Sequence, residues 1–166
     1  MMKQRGIHMS KQKNDKMSIL KKVFLVLLAL DAISLILAVI ELIPTFQTLA
    51  GYGAIMFVVA GVMMTVTLGV LLFEIVAKFF LIRSTSPAFS WSTGRKGYTA
   101  AAKILLVVNL LTAIVNVLSL GGEGATLLSQ AHTYLQILTA VVEMITVIFY
   151  LRTVKGILKS IKEEIN

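Results

Sequence analysis

The chain has 166 residues, 57% of them hydrophobic and only 14% charged, with a mean hydropathy of +0.88 and a net charge of +8. Soluble domains are roughly 45–50% apolar and about 25% charged, and the apolar surplus here lies in long, nearly uncharged runs, which excludes an ordinary soluble domain. No cysteine is present, which excludes disulfides, thiolate metal sites and cysteine nucleophiles.

About 20 residues at 1.5 Å each cross a ~30 Å hydrocarbon core, so runs of this length read as transmembrane helices. Helices are the default because every backbone polar group must be paired within lipid. The strands of an outer-membrane barrel would alternate apolar and polar residues, and these runs do not. The expected fold is all-α: a polytopic membrane protein with four transmembrane helices.

Residues 1–18, MMKQRGIHMSKQKNDKMS, are polar and basic, without apolar periodicity; they read as a mobile cytosolic tail. The apolar run that follows is longer than the core of a signal peptide and has no small-x-small cleavage site, so it reads as an uncleaved anchor. Helix 1 is expected over 19–43, stopped by Pro44, which lacks an N–H and disfavours helix in the residue before it. A short link follows at 44–53. Helix 2 is expected over 54–83, longer than a bilayer requires, so that it tilts or projects. The stretch 84–98, STSPAFSWSTGRKGY, reads as a loop from its Ser, Pro and Gly, with Trp91 and Tyr98 suited to the headgroup interface. Helix 3 is expected over 99–120, a Gly-rich link over 121–130, and helix 4 over 131–155. A polar tail, 156–166, completes the 19–155 membrane domain.

Orientation follows from the cations. The N-terminal side holds Lys3, Arg5, Lys11, Lys13, Lys16, Lys21 and Lys22; the middle loop side holds Lys78, Arg83, Arg95, Lys96 and Lys103; the C-terminal side holds Arg152, Lys155, Lys159 and Lys162. The links 44–53 and 121–130 hold none. Both termini and the middle loop are therefore expected in the cytosol of a plasma membrane. This is not the layout of a basic groove, so nucleic acid is not an expected partner. The expected surroundings are the lipid bilayer and anionic lipids on the cytosolic face, at ~1 kcal/mol per nearby cation.

The two halves look alike. Shifted by 81 positions, Lys22–Val39 and Lys103–Leu120 match at seven of eighteen positions, and with a shift of 69 Glu74, Phe80 and Arg83 fall on Glu143, Phe149 and Arg152. Two tandem hairpins in the same orientation would give a parallel repeat; chance sharing of Leu, Val and Ile by apolar helices is the competing reading. Each Arg ends an inward-running helix, where it anchors the headgroup level and complements the helix dipole. The recurring Glu has no such account.

An ionisable group in a membrane helix costs about 2.5–3.5 kcal/mol on insertion scales, so it faces a bundle interior, water or a partner. Asp31 and Glu143 are each nine residues from a boundary cation, ~13 Å along a helix and near mid-depth. Neither has an evident intramembrane cation. Glu74 has Lys78 one turn later, in the favourable order for an i,i+4 pair. Glu41, beside Pro44, should reach the outer interface and needs no special role. Stripes of helical spacing join these residues to others: Asp31, Ser34, Ala38 and Glu41; Asn109, Thr112, Asn116 and Ser119; His132, Gln136, Thr139, Glu143 and Thr146. The intramembrane polar candidates are thus Asp31, Glu74, Asn109, Asn116, Gln136 and Glu143. Gly61, Thr65, Gly69 and Ala77 form a small-residue strip suited to close helix contact. The stripes serve either as inter-helix hydrogen-bond glue, as a wet path or cation site, or as a surface for a basic residue of another membrane protein.

No Walker loop, nucleophile elbow or zincin motif occurs. His8 and His132 do not make a metal site. The chain is expected to be no enzyme and to hold no cofactor or metal. The leading expectation is an accessory, scaffold or immunity-type subunit, bound to another membrane protein or to copies of itself. The alternative is a small cation- or proton-coupled transporter or channel that uses its intramembrane carboxylates.

Overall fold

The computed structural model describes residues 2–86, 91–120 and 127–165, with side chains over 15–86, 97–120, 127, 129–159 and 163. It is a bundle of four α-helices: α1 Met2–Ala50, α2 Ala54–Ser84, α3 Trp91–Ser119 and α4 Leu127–Ile165. No strand occurs among the described residues. Each helix contains a stretch long and apolar enough to cross a membrane: Asp15–Ala50, Ala54–Ser84, Gly97–Ser119 and Ser129–Lys159. Buried residues make up only 11–33% of the most apolar window in each. Most Ile, Val, Leu and Phe side chains therefore point outward, among them Val26, Ile36, Val62, Val66, Val115 and Ile145. Such a surface suits a lipid bilayer and does not suit water.

The helices form a ring in which α1 packs on α2 and α4, and α3 packs on α4 and α2; the backbones on the two diagonals do not approach each other. Neighbours are antiparallel. Along α1, Phe24 meets Tyr150 and Glu41 meets His132, so α1 and α4 run in opposite directions. The apolar core fills one half of the ring: Leu20, Phe24, Leu27, Ala77, Leu81, Leu105, Val147, Tyr150 and Val154. At its centre Phe24 meets Tyr150 edge-on, with ring centroids 5.9 Å apart.

The helices are longer than the sequence indicates. Residues 2–18 continue α1 without a break, so the expected irregular tail is helical in its backbone, and Met17 packs into the core. Pro44 does not stop α1, which runs on to Ala50 and reduces the link to Gly51, Tyr52 and Gly53. A proline costs one backbone bond, but in a membrane span hydroxyls can supply others. Thr45 donates to the carbonyl of Glu41 and Thr48 to that of Pro44, each at 2.9 Å. The helix thus gains two side-chain bonds just beyond the one it loses. α3 begins at Trp91 and α4 extends over 127–165, so Trp91 and Tyr98 are helical and not in a loop. Pro87 and the Gly-rich stretch 121–126, with Glu123, lie outside the described residues.

Gly53 turns the chain between α1 and α2 at φ 114° and ψ 178°, a region open in practice only to glycine. Gly53→Ala should lower stability by about 1–3 kcal/mol. Pro44→Ala should raise it, because it restores a helical N–H within a continuous helix. Denaturation of the purified protein in mixed micelles checks both, and loss of stability in Pro44→Ala would show that the helix needs its break.

Candidate functional site

Helical spacing decides which side chains reach the bundle axis. On α1 the inward face reads Leu20, Phe24, Leu27, Asp31, Ser34 and Ala38; on α2 it reads Leu71, Glu74, Ala77, Lys78 and Leu81. On α3 it holds Ala102, Leu105, Asn109 and Ala113, and on α4 His132, Thr139, Glu143, Val147 and Tyr150. Steps of three and four residues put each set on one side of its helix. The apolar core fills one half of the bundle, and the polar members, with Leu71 among them, fall toward the other.

Where the halves meet lies a charged centre. Lys78 is wholly buried, and its ammonium donates to Asp31 Oδ2 on α1. It also approaches Glu143 Oε2 on α4 at 2.6 Å. Asp31 is 3% exposed, Glu143 1% and Glu74 5%. Lys78 therefore joins three helices and crosses a diagonal that the backbones do not. Helical side chains lean toward the N-terminus, so the Lys78 stem leans from the Arg83 end of α2 back into the bundle. That lean brings a residue of the helix's last two turns level with Asp31 and Glu143.

These acids line a cavity together with Ser34, Leu71, Glu74, Asn109, Thr112, Gln136, Thr139 and Ala140. The volume open to the centre of a water is about 20 Å³. One water needs ~10–15 Å³ on this measure, so the cavity is sized for one water or one small ion. On its far side a polar chain leads outward. Gln136 Nε2 lies 3.1 Å from His132 Nε2, and His132 Nδ1 lies 2.8 Å from Glu41 Oε2. The Glu41 side chain is 28% exposed and brings the chain to the surface at the Gly51 end. Toward the opposite end Leu27, Leu81, Leu105 and Val147 close the axis, backed by Phe24 and Tyr150. Beyond them the Tyr150 hydroxyl bonds Ser84 Oγ at 2.6 Å, and Ser84 donates to the carbonyl of Leu81.

Five of the six polar positions singled out in the sequence, Asp31, Glu74, Asn109, Gln136 and Glu143, thus share one cavity. Asn116 does not line it; its Nδ2 is buried and makes no hydrogen bond. Two expectations are corrected. Asp31 and Glu143 do have an internal cation, Lys78. And Lys78 is not spent on Glu74, because it reaches across the bundle to acids that no sequence spacing relates to it. Lys78 itself was the missed residue. The signal for it was available: it lies inside the apolar run, short of Arg83, on the face that carries Leu71, Glu74 and Leu81. Glu41, expected only to reach the interface, meets His132 on α4 at 2.8 Å instead.

The small-residue strip lies elsewhere. Thr65 and Gly69 are exposed and Gly61 is half-buried, and a Cβ at either glycine would meet nothing within 4 Å. Only Ala77 packs between helices of this chain. The strip is an outer face because the polar and bulky positions of α2 take the inner one.

The repeated Glu now has a physical account. Under the shift of 69, Leu71, Glu74, Ala77, Lys78 and Leu81 correspond to Ala140, Glu143, Thr146, Val147 and Tyr150, and all ten are buried. The recurring spacing is that of one inward face used by both returning helices. Lys78 has Val147 as its counterpart, so a single lysine serves acids from both halves.

Compared with protein-family models, curated proteins and solved structures, the chain matches none.

Removing one partner of a buried ion pair leaves an uncompensated charge, at about 3–5 kcal/mol. Lys78→Met should therefore cost about that much, because it orphans the acids together. Combining it with Glu143→Gln should cost less than the sum of the two single changes. A double-mutant cycle on unfolding in mixed micelles tests this, and strict additivity would mean that the two side chains are not coupled.

Proposed function

We propose that this small multi-pass membrane protein moves protons or small cations across the bilayer, with the centre formed by Asp31, Lys78, Glu143 and Glu74 as its working part. One observation carries this reading: three buried carboxyls line a water-sized cavity beside a single lysine, which is paired with two of them. A centre built only to hold helices together needs matched charges, since each unmatched one costs several kcal/mol in apolar surroundings. Here the ammonium balances one carboxylate. The remaining charge is balanced by a bound proton or cation, and groups whose charge depends on what they bind can carry that species.

The surrounding residues supply access and closure. Glu41, His132 and Gln136 offer a polar route from the Gly51 end to the cavity, and His is a suitable proton relay near neutral pH. The layer of Leu27, Leu81, Leu105 and Val147 closes the opposite route. Net movement needs that layer to part, and Lys78 sits at the junction, where a change in its pairing acts on both α1 and α4. In this reading the exposed cations at the Tyr150 end, including Lys21, Lys22, Arg83, Lys103, Arg152 and Lys155, face the cytosol of a plasma membrane and its anionic lipids. The route through Glu41 then opens outward.

Reconstituted in liposomes with an imposed ion or pH gradient, the protein should give a flux well above that of empty vesicles. Asp31→Asn with Glu143→Gln should reduce it at least tenfold while the protein still inserts. Wild-type flux in that double variant would sink the transport reading.

A second reading has its own observation. The outer strip of Gly61, Thr65 and Gly69 leaves the α2 backbone open to close approach, the geometry that lets membrane helices of separate chains pack. This supports a second copy or another membrane protein on that face, as in an accessory or scaffold subunit. Gly61→Leu with Gly69→Leu should then break the native particle into single chains on mass determination in nanodiscs. An unchanged particle mass would show that the strip faces lipid only.

A further inference from the structure

We infer that the cavity between Glu74 and Glu143 is a binding site for one desolvated monovalent cation of the sodium class. This deepens the transport reading and rests on it. The site is marked by oxygen atoms without partners. Glu74 Oε1, Thr139 Oγ1 and both oxygens of Glu143 are buried and make no hydrogen bond, and of these only Glu143 Oε2 lies against the Lys78 ammonium. Glu74, Thr139 and Glu143 are 5%, 7% and 1% exposed, and all three line the same cavity. Buried acceptors are nearly always satisfied, because one left without a partner keeps the full penalty of leaving water. Lys78 does not reach the other three, because its ammonium is committed to Asp31 Oδ2 and Glu143 Oε2.

A positive charge coordinated by oxygen would satisfy them together. The donor set is a carboxylate from α2, a carboxylate oxygen from α4 and the Thr139 hydroxyl. Ser34, Asn109, Thr112 and Gln136 line the same space with neutral polar side chains. Hard oxygen donors suit a hard cation and offer nothing to a soft metal. Among the described residues no three His, Asp or Glu side chains converge as a metal site. A divalent ion, which draws on several carboxylates, is therefore disfavoured against a single charge. Size sets the other limit. With about 20 Å³ open to a water centre, the cavity takes one small ion and excludes an organic ammonium. Lys78 then stands beside the site as a fixed second charge: a bound cation and the lysine share the Glu143 carboxylate, one on each oxygen.

The test is the thermal unfolding of the full chain in lipid nanodiscs. Sodium chloride replaces choline chloride at constant ionic strength, and flux is measured on the same preparation in liposomes. A ligand bound only by the folded state at tenfold its Kd should raise Tm by about 3–6 °C. The rise should vanish in Glu74→Gln and shrink in Thr139→Val, which keeps the shape of the side chain and removes its oxygen. Equal Tm in sodium and choline, with proton flux intact, would overturn the cation site and leave the transport reading standing. A sodium effect that survives both substitutions would place the ion elsewhere and equally overturn it. Absence of both the sodium effect and any flux would remove the two together.

Discussion

An ammonium in the interior of a membrane bundle has no water to solvate it, and the surrounding helices must do so. Lys78 is solvated by Asp31 from α1 and Glu143 from α4, with Glu74 one turn away on its own helix. That single group constrains three helices in register and azimuth. If α1 slid by one residue, Asp31 would rotate by about 100° and leave the charge orphaned. The penalty for an unpaired buried charge, several kcal/mol, is large beside the ~0.6 kcal/mol of an average hydrogen bond between membrane helices. The charged centre therefore does more than any other polar contact to select one packing among the many that apolar helices allow.

The same centre divides the bundle into unlike halves. Toward the Tyr150 end the axis is filled by Phe24, Leu27, Leu81, Leu105 and Val147. Toward the Gly51 end it carries Ser34, Gln136, Thr139, His132 and Glu41. Lipid tails are as apolar as leucine, so the apolar half is held by close packing and not by exclusion of water. The polar half keeps small gaps, because side chains with fixed hydrogen-bond directions cannot interdigitate as closely as aliphatic ones. The cavity lies where these two kinds of packing meet. Three carboxyls and one lysine stand at that boundary.

Much of this was legible in the chain. The four spans, their antiparallel order and the inward polar stripes followed from hydropathy and from steps of three and four residues. The stripes located seven residues of the cavity, Asp31, Ser34, Asn109, Thr112, Gln136, Thr139 and Glu143, and Glu74 followed from its own charge, because an expensive side chain in a membrane span must face inward. The helix ends were less legible. Pro44 reads as a helix stop, yet α1 runs past it, with the hydroxyls of Thr45 and Thr48 bonded to carbonyls of the same turns. Asn116 shared the stripe of Asn109 but lies two turns along α3, beyond the level of the cavity.

What the sequence by itself determined is the set of groups that must be buried, since the cost of a charge in hydrocarbon depends only on residue type and depth. What the tertiary structure decided is who pairs with whom. Local spacing assigned Lys78 to Glu74, four residues away; the fold gave it to Asp31 and Glu143, 47 and 65 positions distant. A flexible lysine stem reaches across a bundle axis as readily as along its own helix. The choice between those partners depends on where the other helices place their oxygens, and no pattern within one helix contains that information.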